Sequence, residues 1–354
     1  MGALDWFRLA AAFLVAAIHI SPLENISMWG DLTLTRILAR VAVPFFFMVT
    51  GYFVLAGREW ERVKEALVKN LRLYLIAIVI YLPVNRYAGK LTGLTVGMVL
   101  KELLIQGTFY HLWYLPALLT GLMLAWWLLR MLGTKGALAV SGAFYLAGLL
   151  GDSYYGLAAQ VPALKTLYDS LFRVMENTRN GFFLAPFYLL LGAFMAERRE
   201  SERRRPSGKE SGRTGRAVRR PEEEFLFRGI GLACSLALMT AEGLFVHMAG
   251  WPHHDSMYLT LPVVMVLLFD ILLRVPMDER PQLRIISLWI YLLHPFFIVA
   301  VRAVAGATGT GALLVENRLV HYLCVAAVSL AAAYVISLFV DTKRRKRRVP
   351  VIWV

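Results

Sequence analysis

Arg8 and His19 stand eleven positions apart in an otherwise apolar run. At 100° per residue that separation is three turns plus about 20°, so both lie on one stripe of a helix, about 16 Å apart along its axis. An ionisable ring so far along an apolar helix must face protein or a wet cavity, and imidazole is the side chain whose proton moves most easily near neutral pH. Proton transfer is therefore the chemistry His19 offers; the plainer alternative is a ring satisfied by a neighbouring helix. His294 precedes Pro295, whose missing amide frees the carbonyl of Tyr291 and bends the helix. It reads equally as a packing hydrogen bond or a substrate contact. Arg302, two turns further, is an anion or acceptor ligand, or a snorkelling rim residue. His111, Trp113 and Tyr114 fall at the outer mouth of another apolar run, with His111 outward and partly wet. There the aromatic pair would stack or orient an acceptor, or simply belong to an interfacial aromatic belt. Lys69 and Arg72, three apart at the rim that carries Arg8, would neutralise an anion or record topology. Glu242, His247 and the Asp270/Arg274 pair are secondary, the last reading as a helix salt bridge. Trp251-Pro252-His253-His254-Asp255 lacks helical ligand spacing and a third ligand, so it reads as a polar turn and no metal site is expected.

The elements that hold these residues are membrane helices. Of 354 residues 58% are hydrophobic and 18% charged, which argues against an ordinary water-soluble domain. Apolar runs place ten candidate spans at 4–20, 37–56, 67–84, 112–132, 136–150, 181–196, 226–249, 257–273, 286–304 and 319–340. Nothing shows barrel alternation, so the expected fold is all-α, polytopic, with about ten transmembrane helices. The third, fifth and sixth spans are short, and one pair of them is open to being re-entrant, tilted or deeply packed. Most of the 38 Lys and Arg residues fall on one side if both termini are cytoplasmic, as in 57–72, 197–225 and the closing run Lys343 to Arg348. A net charge of +14 is thus a topology signal, and no nucleic-acid partner is expected. The 197–225 segment, with almost no aliphatic residues, reads as a disordered cytoplasmic linker; 343–354 reads as a basic cytoplasmic tail. The first helix is not a secretory signal, because no small-x-small cleavage site follows it. Cys234 and Cys324 lie inside apolar stretches, where they make no disulfide framework.

Four motifs in order carry a resemblance. Leu4-Asp5-Trp6-Phe7-Arg8-Leu9 with His19, Val43-Pro44-Phe45-Phe46-Phe47-Met48-Val49-Thr50-Gly51-Tyr52, His111-Leu112-Trp113-Tyr114-Leu115-Pro116 and Ile290-Tyr291-Leu292-Leu293-His294-Pro295 together resemble the acyltransferase 3 family of integral-membrane acyltransferases. Thr50 replaces the family's serine. The likeness covers nearly the whole chain, taken as a membrane domain over 1–342, and is strongest to the membrane half of the serine and alanine racemases associated with vancomycin resistance. Those continue into a pyridoxal phosphate barrel; with the chain ending at Val354, racemisation is not expected. The resemblance implies transfer of an acyl group, commonly acetyl, from cytoplasmic acyl-CoA to a hydroxyl of an envelope glycan or lipid at the cell membrane. It implies acyl-CoA as co-substrate rather than a permanently bound cofactor, and leaves room for a separate extracytoplasmic or racemase partner. Arg8, Lys69 and Arg72 would bind the donor, the last two matching a family pair of arginines from which Lys69 departs, since lysine lacks the bidentate fork. His19 would be the base that activates the acceptor hydroxyl, or would carry the acyl group itself. His111, Trp113, Tyr114, His294 and Arg302 would contact substrate. The rival from another class is a carrier for a small polar substrate such as serine.

Overall fold

The structure is a computed structural model that describes residues 1–204 and 221–347. Its main helices are α1 (Gly2–Ile20), α2 (Met28–Leu55), α3 (Trp60–Tyr87), α4 (Tyr114–Leu150), α5 (Pro162–Val174), α6 (Ala185–Arg204), α7 (Pro221–Met248), α8 (Leu261–Arg274), α9 (Pro281–Thr308) and α10 (Arg318–Arg347). Seven stretches are long and apolar enough to cross a membrane: α1, α2, α3, α4, most of α7, α9 and most of α10. The protein is a multi-pass, all-helical membrane protein.

Each of the ten apolar runs falls on a helix, with differences that have local causes. Helix α4 covers two of them, because Gly133 (φ 66°, ψ 176°) breaks it. The chain reverses there: Gly121 faces Ala185, Thr134 bonds Glu197 at the far end of α6, and Gly148 faces Phe183 at the near end again. The third run extends to 28 residues in α3, longer than its apolar part. Helix α8, at 14 residues, is the shorter surprise. The 197–225 segment is helical at both edges, in α6 to Arg204 and in α7 from Pro221. Ion pairs one turn apart, Arg198–Glu202 (3.2 Å) and Arg204–Glu200 (2.9 Å), support the polar end of α6. Residues 205–220 of the expected linker lie outside the described residues, as do 348–354 of the expected tail, whose first part continues α10.

Helix α6 is the buried axis. Tyr188, Leu189, Leu190 and Ala193 are completely buried, clasped by the α4 hairpin and crossed by α2. At that crossing the backbones touch: a Cβ on Gly51 would lie 1.8 Å from the Leu189 carbonyl oxygen, and one on Gly192 2.0 Å from that of Met48. Small residues at a crossing are how membrane helices gain packing, since lipid offers no hydrophobic drive between them. Helix α1 runs parallel to α9, with the Gly2 amide donating to the Met277 carbonyl (3.1 Å) at one end and Ile20 against Ile298 at the other. Helix α3 turns Leu71, Leu75, Ile76, Val79 and Leu82 outward, as a lipid-facing helix does.

Gly51→Ala is expected to cost about 1–3 kcal/mol by overpacking. In detergent this should appear as a fall of several degrees in Tm, whereas Gly229→Ala, where a Cβ meets nothing within 4 Å, leaves Tm unchanged or slightly raised.

Candidate active site

Helix α9 runs continuously through Pro295, one residue after its histidine, but lacks one backbone donor there. Pro295 has no amide for the carbonyl of Tyr291, and the His294 ring supplies the missing donor: its Nδ1 lies 2.9 Å from that carbonyl oxygen and 3.1 Å from that of Ile290. Both partners only accept, so Nδ1 carries the hydrogen and Nε2 holds the lone pair. Tyr81 of α3 spans the next gap, its hydroxyl donating to the Leu292 carbonyl (2.7 Å) and accepting from the Phe296 amide (3.2 Å). The backbone groups that a proline frees in a membrane helix are thus re-satisfied by two side chains.

His294 is fully buried, and its ring stacks on His19 of α1 at 5.4 Å between centroids, tilted by 22°. His19 is half-buried, and among the described residues it makes ring contacts but no hydrogen bond, the second contact being Tyr110 at 4.8 Å. His111 completes the group, 5.5 Å from the His294 ring. It arrives on a segment that folds back into the bundle. Asn85 donates to the Thr108 carbonyl (2.7 Å), Tyr291 to that of His111 (2.9 Å), and Gly107, at φ 81°, turns the chain where a Cβ would meet the Trp113 amide at 2.4 Å. His111 is therefore only 2% exposed, not outward and wet as expected. Nor are its neighbours a surface belt. Tyr114 packs against Phe47 (4.8 Å) and Tyr291 (5.6 Å) inside the bundle, and Trp113 is half-buried with the Arg179 guanidinium 5.2 Å above its ring. The fold-back depends on bonds to α3 and α9, which no local pattern announces.

Arg8 is also placed differently from a rim cation. It is 5% exposed and donates to Asp5 (2.6 Å), itself 1% exposed. Asp5 also receives two bonds from Arg284 of α9 (2.8 and 3.1 Å) and the Arg280 amide (3.0 Å). Arg284 also pairs with Glu279 (2.9 Å), so the two guanidiniums meet two carboxylates, only one of which, Asp5, they share. Arg8 and Arg284 line a cavity of about 70 Å³ with Thr50, Asn70, Tyr114 and Tyr291. The cavity shares Leu73 and Leu288 with a groove of about 540 Å³ between α3, α9 and α10, where Lys64, Lys69 and Arg72 sit beside Glu61 and Glu65. His19 is not among the residues lining the cavity, which ends at Tyr114 and Tyr291; the Tyr291 ring is 5.7 Å from His111 and 6.4 Å from His294. The cavity that holds Arg8 stops short of His19, with Tyr114 and Tyr291 in its lining.

The remaining candidates are separate. Arg302 is exposed near the end of α9, two turns beyond His294. Glu242 accepts from the Thr260 amide (2.9 Å) and the Tyr154 hydroxyl (2.8 Å), fixing the start of α8. Asp270 pairs with Arg228 as well as Arg274, a structural bridge. On the face opposite the N-terminus, burial pushes Asp255 up, but Arg40, the His247 hydrogen bond and Arg36 hold it well below the usual carboxylate range. Burial raises Asp152 to about 6 against the pull of the Ser256 and Met257 amides. Sequence reasoning assigned no role to Asp5, Tyr81, Arg179 or Arg284. For Asp5 the three-residue spacing to Arg8 was a usable signal; for the other three there was none.

Comparison with known proteins agrees with this architecture. The acyltransferase 3 family, described as an acyltransferase domain, matches residues 1–338. A serine/alanine racemase of Enterococcus gallinarum is 36% identical over 361 residues, covering 98% of this chain and 48% of its own length. An amino-acid racemase of Enterococcus faecalis is 34% identical over 349 residues, covering 97% and 46%. The chain thus spans about half the length of these curated relatives. No solved structure matches it. Motifs, helical architecture and a match along almost its full length place the chain in the acyltransferase 3 family.

Proposed function

We propose that the chain is a membrane-bound acyltransferase that moves an acyl group, acetyl in the first instance, from cytoplasmic acyl-CoA to a hydroxyl of a cell-envelope glycan or lipid. In this reading the N-terminal face is cytoplasmic, ten helical segments traverse or enter the bilayer of the cell membrane, and acyl-CoA is a co-substrate. The observation that carries it is His19: a half-buried imidazole with no hydrogen-bond partner among the described residues, stacked on a histidine of fixed orientation. The groove bearing Lys69 and Arg72 adjoins the Arg8/Arg284 cavity, and a phosphate-bearing donor with a long arm suits that succession.

The chemistry is one proton transfer and one bond exchange. As the acceptor oxygen attacks the thioester carbon, His19 takes the hydroxyl proton; the C–S bond then breaks and the proton leaves with the CoA thiolate. An imidazole stacked 5.4 Å from another will not share a second positive charge with it, so the pair acts as a single proton carrier. The Tyr114/Tyr291 pair must move aside for the thioester to reach His19. Transient acylation of His19 is the chemical variant of the same reading.

A second reading has its own support. The relatives bear racemase names, and a bundle with buried histidines and a proline inside α9 also suits a carrier for an amino acid such as serine, working beside a separate racemase. Proteoliposomes holding the full chain separate the two: labelled acetyl-CoA either yields free CoA when acceptor is present, or stays intact while external serine accumulates.

For the acyltransferase, His19→Ala is expected to lower kcat by about 10²–10⁴-fold with Tm unchanged. Arg72→Ala should raise KM for acetyl-CoA about tenfold or more, the loss of one charged hydrogen bond, and change kcat less. Pro295→Ala returns an amide that competes with His294 for the Tyr291 carbonyl. Turnover should fall roughly tenfold or more as the ring loses its orientation, while Tm holds or rises.

A further inference from the structure

On the face opposite the N-terminus, the 151–180 and 249–256 loops meet the start of α2. They bring together Arg36, Arg40 and Arg179 with Asp152 and Asp255. The charges are unevenly matched. Asp255 is taken by Arg40, by Arg36 at 3.4 Å and by His247 at 3.6 Å. Asp152 spends one oxygen on the Ser256 and Met257 amides (2.6 and 2.9 Å). The second oxygen of Asp152 is buried without a hydrogen-bond partner, and so is Nε of Arg179; the two aspartates attract Arg179 from a distance, but among the described residues no carboxylate lies within 4 Å of it.

A half-buried guanidinium in that condition is costly unless something pairs with it. Its position is nonetheless defined by a cation–π contact, the Cζ lying 5.2 Å from the centroid of the Trp113 ring. That contact uses none of the N–H donors, and a guanidinium's donors match an anion with two coplanar oxygens. Burial lowers Arg179 to about 10, so it is cationic at neutral pH. Trp113 lies two residues beyond His111, whose ring touches His294, and the His294 ring stacks on His19.

We propose that Arg179 is the ligand for an oxyanion, carboxylate or phosphate, on the acyl acceptor, which therefore enters from this face as an anion with its hydroxyl toward His19. This rests on the acyltransferase reading. It narrows the acceptor from any envelope hydroxyl to one on an anionic molecule, and it separates two arginine roles. Arg8 and Arg284, sharing Asp5, serve the donor side; Arg179, sharing nothing, serves the acceptor.

Glycerol, glycerate and glycerol 3-phosphate present hydroxyls on the same three-carbon frame and differ in a neutral, carboxylate or phosphate end. With the purified full chain and acetyl-CoA, at least one of the two anions should raise CoA release about tenfold or more above the same concentration of glycerol, and the better anion identifies the source. Arg179→Gln should bring that ratio close to one; Arg179→Lys, which keeps the charge, should retain part of it and decides the matter if the glutamine variant does not fold. In a second arm without acetyl-CoA, the favoured anion should raise the Tm of the wild type but not of Arg179→Gln. Equal response to glycerol and both anions in the two arms, or an anion preference that survives Arg179→Gln, overturns the proposal. Failures are distinguishable: an Arg179-dependent Tm shift with no CoA released for any acceptor sinks the acyltransferase reading and leaves the anion site standing. His19-dependent CoA release indifferent to Arg179 does the reverse.

Discussion

Backbone groups inside a bilayer have no water to fall back on, and the site is built around one place where that rule is strained. Pro295 withholds an amide from α9, and the side chains that make good the loss, His294 and Tyr81, come from two different helices. The repair has a chemical by-product. Because His294 is committed through Nδ1 to backbone carbonyls, its ring plane is fixed, and it offers His19 a flat partner without a competing hydrogen bond. A helix with an amide at that position would leave His294 free to turn and Tyr81 without its carbonyl. Irregular backbone recurs around the site, in the π-helical turns Leu32–Ile37 and Gly51–Leu55 of α2 and in the fold-back before α4. In each case a tyrosine, an asparagine or a glycine meets the irregular backbone, as with Tyr258 on the Arg36 carbonyl (2.8 Å) and Gly51 against α6.

Buried charge follows a parallel logic. Asp5, almost wholly enclosed, collects Arg8, Arg284 and a backbone amide, which is how a carboxylate survives removal from water. The arrangement ties α1 to α9 at their starts while the histidine pair joins them about three turns further on, so the two helices that matter most are registered at both ends of the pathway. Removing Asp5 would leave two guanidiniums facing each other. Arg179 shows the contrary case, a cation positioned by an aromatic face rather than by a carboxylate and hence still able to pair.

Two surfaces therefore converge on one histidine cluster. From the N-terminal face come a groove of mixed charge and a small cavity lined by two arginines, with Tyr114 and Tyr291 in its lining; from the opposite face comes an arginine over the Trp113 ring. Tyrosines and His111 between them keep the two sides apart. For the proposed reaction, such a division would let two substrates approach from different faces.

The membrane class, the helical runs and the Arg8/His19 stripe were all legible in the linear chain, for one physical reason: each depends on hydropathy or on spacing within a single helix, both local quantities. The proline beside His294 was equally visible, and so was the carbonyl it frees. What made good the missing donor was not, because Tyr81 lies more than two hundred positions away and nothing near it records the meeting. The same holds for Arg284 on Asp5, and for Trp113 and Tyr114, whose aromatic character suited a surface belt until the fold-back carried them inside. Periodicity assigns a residue to a face of its own helix; which helix covers that face, and with what charge, is settled by packing among segments distant in the chain. Only the tertiary structure could decide that Arg8 is bonded to a carboxylate while, among the described residues, Arg179 has none within 4 Å.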